Sequence, residues 1–294
     1  MDRVFGDKKA IAILLGPALF MYTAIMLVPS VWSLFYAFST GNVIEGFRPV
    51  GLDNFRKLLD DPIVPTSLRF TVTYALVITV GQILLGLALA LFYVFVLRRA
   101  SALIRTLVFF PVVLPTVAVG LLFSKMFAIA PQTGPANSLL DLLGFGATDW
   151  FSTGSKAFWV IILMDLWRTM GFYAVLLYTG LLDIPGEVLE SARLDGAVGW
   201  RLLRHIVLPL ALPVLISSII FSLNSSLKVF DSVVALTNGG PGTSTTPLNL
   251  YMFQTSFFYS DYGYGSTLAI LITTICLTVT LFLFRSSRRD LTKG

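Results

Sequence analysis

A chain of 294 residues with 56% hydrophobic side chains, only 13% charged ones and a mean hydropathy of +0.83 is not an ordinary soluble domain, in which about a quarter of residues are charged. The balance of 21 Lys and Arg against 16 Asp and Glu gives +5, yet these bases punctuate apolar runs and line no single face, so nucleic acid is excluded as a partner and a polytopic membrane protein is predicted. A single cysteine, Cys276, excludes an intrachain disulfide, and a single histidine, His205, leaves too few ligands for a His/Cys metal centre and one base at most for a hydrolytic triad.

In chain order, uncharged runs of the length a helix needs to cross hydrocarbon occur over 11–38, 70–97, 106–124, 208–227 and 262–284. A further run, 157–182, carries Asp165 and Arg168, which at i,i+3 can pair and lower each other's cost in the membrane. The fold predicted is all-α with six membrane-spanning helices. The first run follows Lys8 and Lys9 but exceeds the core of a secretory signal and is followed by no small-x-small cleavage site, so it is read as a retained span.

Short loops rich in Lys and Arg stay in the cytoplasm. Arg3, Lys8, Lys9, Arg98, Arg99, Arg105, Arg193, Arg201, Arg204, Arg285, Arg288, Arg289 and Lys293 fall on one side of these helices, while the other side holds Arg48, Arg56, Lys57 and Lys156. Both termini are therefore predicted to be cytoplasmic. The organisation is a cytoplasmic N-terminus over 1–10, one transmembrane domain over 11–284 and a basic C-terminus over 285–294.

The predicted cytoplasmic segment 183–209 stands apart from the other loops. Pro185 suits a first helical turn, Glu187 and Glu190 complement the positive end of a helix dipole, and Gly196 can supply a left-handed stop, so a short surface helix is predicted from 185 to 195. Val188, Leu189 and Ala192 form an apolar strip beside the acidic one, which is the outline of a docking surface. The alternative is a plain surface helix whose carboxylates only cap it, and periodicity does not separate the two.

The run Glu190-Ser-Ala followed by Asp195-Gly-Ala, and then Ile206-x-Leu-Pro209, resembles the EAA loop of ABC importer permeases. Ser191 stands for the first alanine of that pattern and Leu203 where phenylalanine is common. The likeness continues through Lys228-Val-Phe-Asp231, Leu236-Thr-Asn-Gly-Gly-Pro-Gly242, Gly263-x-Gly265 and, in the first outer loop, Gly51-Leu-Asp-Asn-Phe55, and is similar to the carbohydrate group that includes maltose and glycerol-3-phosphate permeases.

That resemblance implies a coupling helix seated in a cleft of a separate ATPase, with Glu187, Glu190, Ser191, Ala192, Asp195, Gly196, Ala197, Ile206, Leu208 and Pro209 forming the docking loop. It also implies a second, different permease, two ABC ATPase subunits and an extracellular substrate-binding protein, in the plasma or inner membrane of a bacterium or archaeon. The chain itself is expected to bind no cofactor or metal and to be no enzyme. No lysine follows a glycine, so the P-loop that holds phosphates is missing, and ATP and Mg belong to the partner ATPase.

For the substrate path, Asn224, Ser225, Ser226 and Lys228 cluster in the outer half of the fifth helix, where lipid would leave them unsatisfied. A sugar-lined passage of Asn224, Ser225, Lys228 and Asp231 is one reading. Hydrogen bonds between helices, with Lys228 reaching the headgroups and pairing with Asp231, is the other. Asp165 and Arg168 are open in the same way, as a functional pair or as a brace. Lys125 is read as an interface residue, the Gly239 to Gly242 stretch as an irregular turn, and Gly263-x-Gly265 is too weak for a nucleotide site. A secondary transporter or channel for a small polar solute is the alternative function, but it predicts midplane ion-coupling carboxylates or a carbonyl filter and leaves the EAA-like loop unexplained. A membrane-embedded enzyme would need more acid and base groups than Asp165, Asp231 and His205 provide.

Overall fold

The structure, a computed structural model, describes residues 8–42, 44–97 and 101–291, without the side chains of 8, 10, 101 and 286–291. Of the bases that set the predicted orientation, Arg3, Arg98, Arg99 and Lys293, and the side chains of Lys8, Arg288 and Arg289, lie outside the described residues.

The first helix, α1 (Ile11–Tyr36), is followed by the strands β1 (Ser39–Asn42) and β2 (Gly46–Pro49) and the short α2 (Asp53–Asp60). Next come α3 (Ile63–Phe95), α4 (Ala102–Val113), α5 (Thr116–Met126), α6 (Pro135–Leu142) and α7 (Gly154–Leu182). The chain continues through α8 (Gly186–Leu194), α9 (Trp200–Leu210), α10 (Leu212–Ser226), α11 (Asp231–Leu236), α12 (Leu248–Phe253) and α13 (Tyr262–Leu291). The molecule is thus mostly helical. The antiparallel hairpin, with Ser39 opposite Pro49, corrects the all-α expectation in one small place.

Among the described residues four helices are long and apolar enough to cross a membrane, α1, α3, α7 and α13 through Arg285, and two bent pairs raise the number of candidate spans to as many as six. The bends break the predicted helices 106–124 and 208–227. Helices α4 and α5 meet at 95° because Leu114 is extended (φ −69°, ψ 140°), the conformation that the ring of the following Pro115 imposes on its neighbour. Helices α9 and α10 meet at 67° around Ala211, just ahead of Pro213. Prolines mark two widened turns as well. The π-helical turns Thr23–Leu27 and Leu203–Val207 each end two residues before a proline, Pro29 and Pro209, whose missing N–H and ring disrupt the ordinary α ladder.

The chain divides into two compact units, Met1–Pro62 with Tyr251–Thr273 and Ile63–Leu250 with Thr274–Gly294. In the first, Asn54 is buried and donates from Nδ2 to the carbonyls of Ala37 and Ser39 at 2.9 and 2.8 Å, fixing α2 under the hairpin. Lys57 pairs with Asp261 at 2.7 Å, and the hydroxyls of Tyr251 and Tyr264 both donate to Asp61. Burial first, then the hydrogen bond to the Asp61 carboxylate, holds the Tyr251 hydroxyl far above its ordinary pKa. The Gly263-x-Gly265 pair is a packing device here. A β-carbon on Gly263 would collide with the Ser39 carbonyl, and one on Gly265 with the Ser256 hydroxyl.

In the second unit α3 and α7 form the spine. Ile78, Ile161 and Val233 centre one apolar cluster, Val119, Val160 and Met164 another, and Ala90, Leu177, Leu181 and Val207 a third. Lipid tails are as apolar as these side chains, so within the spans close packing of the clusters, and no transfer from water, holds the helices together. Helix α10 carries fully or nearly fully buried hydroxyls on one face, Ser218, Ser222 and Ser226, at four-residue spacing. That face points toward polar partners and sets up the site described next.

Candidate functional site

Within the second unit α3, α7, α10 and α11 surround a cavity of about 340 Å³. Its floor is a hydrogen-bonded network centred on Asp165, which is 2% exposed. The carboxylate accepts from the Tyr74 hydroxyl at 2.6 Å, the Ser232 hydroxyl at 2.7 Å and Arg168 Nη2 at 3.3 Å. A buried carboxylate is tolerable only with such partners, and here they come from three segments of chain. A second chain of bonds runs beside it. Gln82 donates to the Thr169 hydroxyl at 2.8 Å and accepts from the Ser222 hydroxyl at 2.5 Å, and Ser222 also reaches Thr79 at 3.0 Å. The rings of Phe172 and Phe221, 5.7 Å apart and tilted by 35°, supply an apolar wall. Hydroxyls, an amide, a guanidinium and flat aromatic faces in one hollow can hydrogen-bond a polyhydroxylated solute and stack on its apolar faces.

Ser225, Lys228 and Asp231 line this cavity. Lys228 and Asp231 are exposed, and among the described residues no ion pair joins them. Asn224 lies elsewhere. Its Nδ2 donates to the Ile220 carbonyl at 3.0 Å and its Oδ1 accepts from Thr280 of α13 at 2.9 Å, a bond between helices. Tyr74, Gln82 and Thr169 line the cavity without having stood out in the sequence. Their signal was present in the spacing, since Tyr74, Ile78 and Gln82 fall on one face of α3, and Asp165 and Thr169 on one face of α7.

The second candidate region is the loop around α8. Pro185 precedes its first turn, Glu187 lies in that turn, and the helix closes with a Schellman motif. Ala197 N–H donates to the Ala192 carbonyl at 2.9 Å and Gly196 N–H to that of Arg193 at 3.0 Å, with Gly196 at φ +82°. Glu187, Glu190, Ser191, Asp195, Gly196 and Pro209 are exposed, while Ile206, Leu208 and Ala197 are partly buried. The apolar strip does not face outward as a whole. Ala192 is buried and Leu189 packs beside it against Leu177, Leu181 and Leu202, so these side chains hold α8 onto its own chain and leave Val188 exposed.

The family described as binding-protein-dependent transport system inner membrane component matches residues 82–292, a stretch that contains α8 and most of the cavity's lining. The chain belongs to this family. It is accordingly a multi-pass inner-membrane component of an ABC transporter. Among curated permeases of the family it is 33% identical to the sulfoquinovosyl glycerol transport system permease SmoG of Agrobacterium fabrum, over 96% of this chain and 92% of that one. It is 34% identical to the trehalose/maltose transport system permease MalF of Thermococcus litoralis, over 81% of this chain and 80% of that one. A crystal structure of a bacterial alginate ABC transporter in complex with an alginate pentasaccharide-bound periplasmic protein contains a chain of the same fold, with TM-score 0.86 at 21% identity, covering 98% of this chain and 97% of that one.

Proposed function

We propose that this chain is the membrane-spanning subunit of an ATP-driven importer that passes a sugar or oligosaccharide, received from an extracellular binding protein, through the cavity beside Asp165. The relatives' names, the hydroxyl-rich and aromatic lining, and the binding-protein complex of the alginate transporter support the substrate class and that partner. The domain is a single one over 11–284, its six spans being the four long helices and the two bent pairs, with both termini cytoplasmic. Ser225, Lys228 and Asp231 line the path, and Asn224 serves as a brace between α10 and α13 through its bond to Thr280.

The observation that carries the proposal is the segment 187–209, a short helix with exposed carboxylates, closed by a left-handed glycine and fastened to α3 and α7 from below. It serves as the coupling helix, with Glu187, Glu190, Ser191 and Asp195 facing an ATPase and Ala192, Ala197, Ile206, Leu208 and Pro209 fixing its seat. Glu190 accepts a charge-assisted hydrogen bond from a base on that subunit. Two ATPases bind the ATP and Mg, a second and different permease completes the passage, and this chain carries neither cofactor nor catalytic group. Glu190→Lys, measured in reconstituted vesicles with the binding protein and ATP, is expected to lower coupled uptake at least tenfold while leaving the folded permease recoverable. Uptake at the wild-type rate would remove Glu190 from the docking site.

A further inference from the structure

The end of α3 that packs with Ala192 and Leu202 lies beside α8, and at its opposite end a hollow of about 550 Å³ shares no lining residue with the Asp165 cavity. Arg69 is the one charged residue that lines it, and no carboxylate does. This arginine is exposed and forms no ion pair among the described residues. The hydroxyls of Thr66, Thr73, Ser155 and Ser244 line the same hollow, and Phe70 and Phe158, edge to face at 5.8 Å, give it an apolar wall. The first turn of α7 completes the rim. Gly154 lies so close to Ser244 that a β-carbon on it would collide with the serine hydroxyl, and Thr153 gives that turn no side-chain cap. The positive end of the α7 dipole therefore adds to the charge of Arg69.

The face of α3 that carries Arg69 changes character along its length. Thr66, Arg69 and Thr73 form its polar end, and Leu76, Val80 and Leu84 continue it at helical spacing, 55%, 57% and 62% exposed. Farther along, Leu87 and Leu91 pack against the cluster of Ala90 and Leu177, so the exposed apolar stripe ends there. From Thr73 to Leu84 the helix rises about 16 Å, close to half of the roughly 30 Å of bilayer hydrocarbon. Trp159, exposed and edge to face with Phe158 at 5.4 Å, sets the level of the hollow at the membrane–water border, where indole rings collect. A cationic, hydroxyl-lined hollow at that border, above an apolar stripe one leaflet deep, matches the two halves of a phospholipid.

We propose that this hollow binds an anionic phospholipid with a polyol headgroup, of the phosphatidylglycerol class, with its phosphate on Arg69 and an acyl chain along Leu76, Val80 and Leu84. The phosphate accepts charge-assisted hydrogen bonds from the guanidinium, and the headgroup hydroxyls meet those of the threonines and serines. A zwitterionic headgroup finds no carboxylate among the lining residues for its ammonium. A protein chain laid on the same face would bury Arg69 and would have to bring a carboxylate to it. Because α3 and α7 both line the hollow, the lipid bridges the ends of the two spine helices. The inference needs only the membrane spans and is independent of what is transported and in which direction.

The test titrates the purified full-length protein in mild detergent with phosphatidylglycerol or phosphatidylcholine and counts bound lipids by native mass spectrometry. The wild type is expected to take up its first phosphatidylglycerol at least tenfold more tightly than phosphatidylcholine. Arg69→Gln is expected to abolish that preference with thermal unfolding in lipid-free detergent unchanged, and Arg69→Lys, which keeps the charge, to retain most of it. A photo-crosslinking residue in place of Val80 is expected to label phospholipid in membranes. Equal phosphatidylglycerol affinity in the wild type and Arg69→Gln overturns the headgroup site. Crosslinking of position 80 to a second protein chain overturns the acyl track and assigns this face of α3 to a protein partner.

Discussion

Asp165 ties three helical segments together through one carboxylate, and that concentration of bonds makes it the residue whose loss the fold should feel most. Replacing it with Asn removes the ion pair with the partly buried Arg168 while keeping the side chain's size. Breaking a buried pair in this way costs about 3–5 kcal/mol. Tyr74→Phe, which deletes only the 2.6 Å hydrogen bond to the charged group, should cost about 1.5–3 kcal/mol. Thermal unfolding of the two purified variants should rank them in that order below the wild type, and equal melting of Asp165→Asn and wild type would show that the network braces nothing. The pairing of Asp165 with Arg168 was legible in the sequence because i,i+3 spacing within one helix makes the two side chains neighbours. The role of Gln82 was not. An uncharged amide in an apolar run leaves hydropathy almost unchanged, and only the hydroxyls that meet it, on Thr79, Thr169 and Ser222, reveal its purpose.

Helix α8 shows how far local chemistry reaches. Its start, its acidic first turn and its glycine stop followed from the identities of Pro185, Glu187 and Gly196, and the structure adds the two hydrogen bonds that close it. The inward turn of Leu189 and Ala192 did not follow, because an apolar strip on a short helix serves a partner and the helix's own core equally well, and only the position of Leu177 and Leu202 decides. Gly196→Val tests the closure. A β-branched residue at φ +82° costs of order 1–3 kcal/mol locally, so the variant should fold but lose the ordered end of α8. Faster amide hydrogen exchange over 192–198, with exchange in α3 and α7 unchanged, is the expected result, and wild-type protection there would mean that the αL turn is dispensable. The bends at Leu114 and Ala211 belong to this scale as well. Hydropathy counts polarity and is blind to backbone direction, so Pro115 and Pro213 interrupt runs that composition alone reads as continuous.

At the scale of the whole molecule, the proposed ATP-driven import rests on helices of such apolar character, a polar cavity beside a buried carboxylate, and an exposed loop with charges of both signs. The longest helix among the described residues, α3, has 33 residues and spans about 50 Å at 1.5 Å per residue, more than the roughly 30 Å of bilayer hydrocarbon, and its C-terminal turn packs in one cluster with Ala192 and Leu202 of the loop. Composition and charge asymmetry made the membrane and the loop legible. The cavity was legible only in part, through Ser225, Ser226, Lys228, Asp231 and the pair Asp165 and Arg168, because Tyr74, Gln82 and Thr169 meet them only once helices distant in sequence pack together. The central claim, that transport is driven through segment 187–209 by a separate ATPase, is tested most directly by purifying the tagged chain in mild detergent and measuring the mass and ATPase activity of what accompanies it. The account predicts a complex of this chain, a second hydrophobic permease and two P-loop ATPase subunits, with the ATPases lost in Glu190→Lys. A chain recovered alone or as a homo-oligomer, with no ATPase bound, would contradict it.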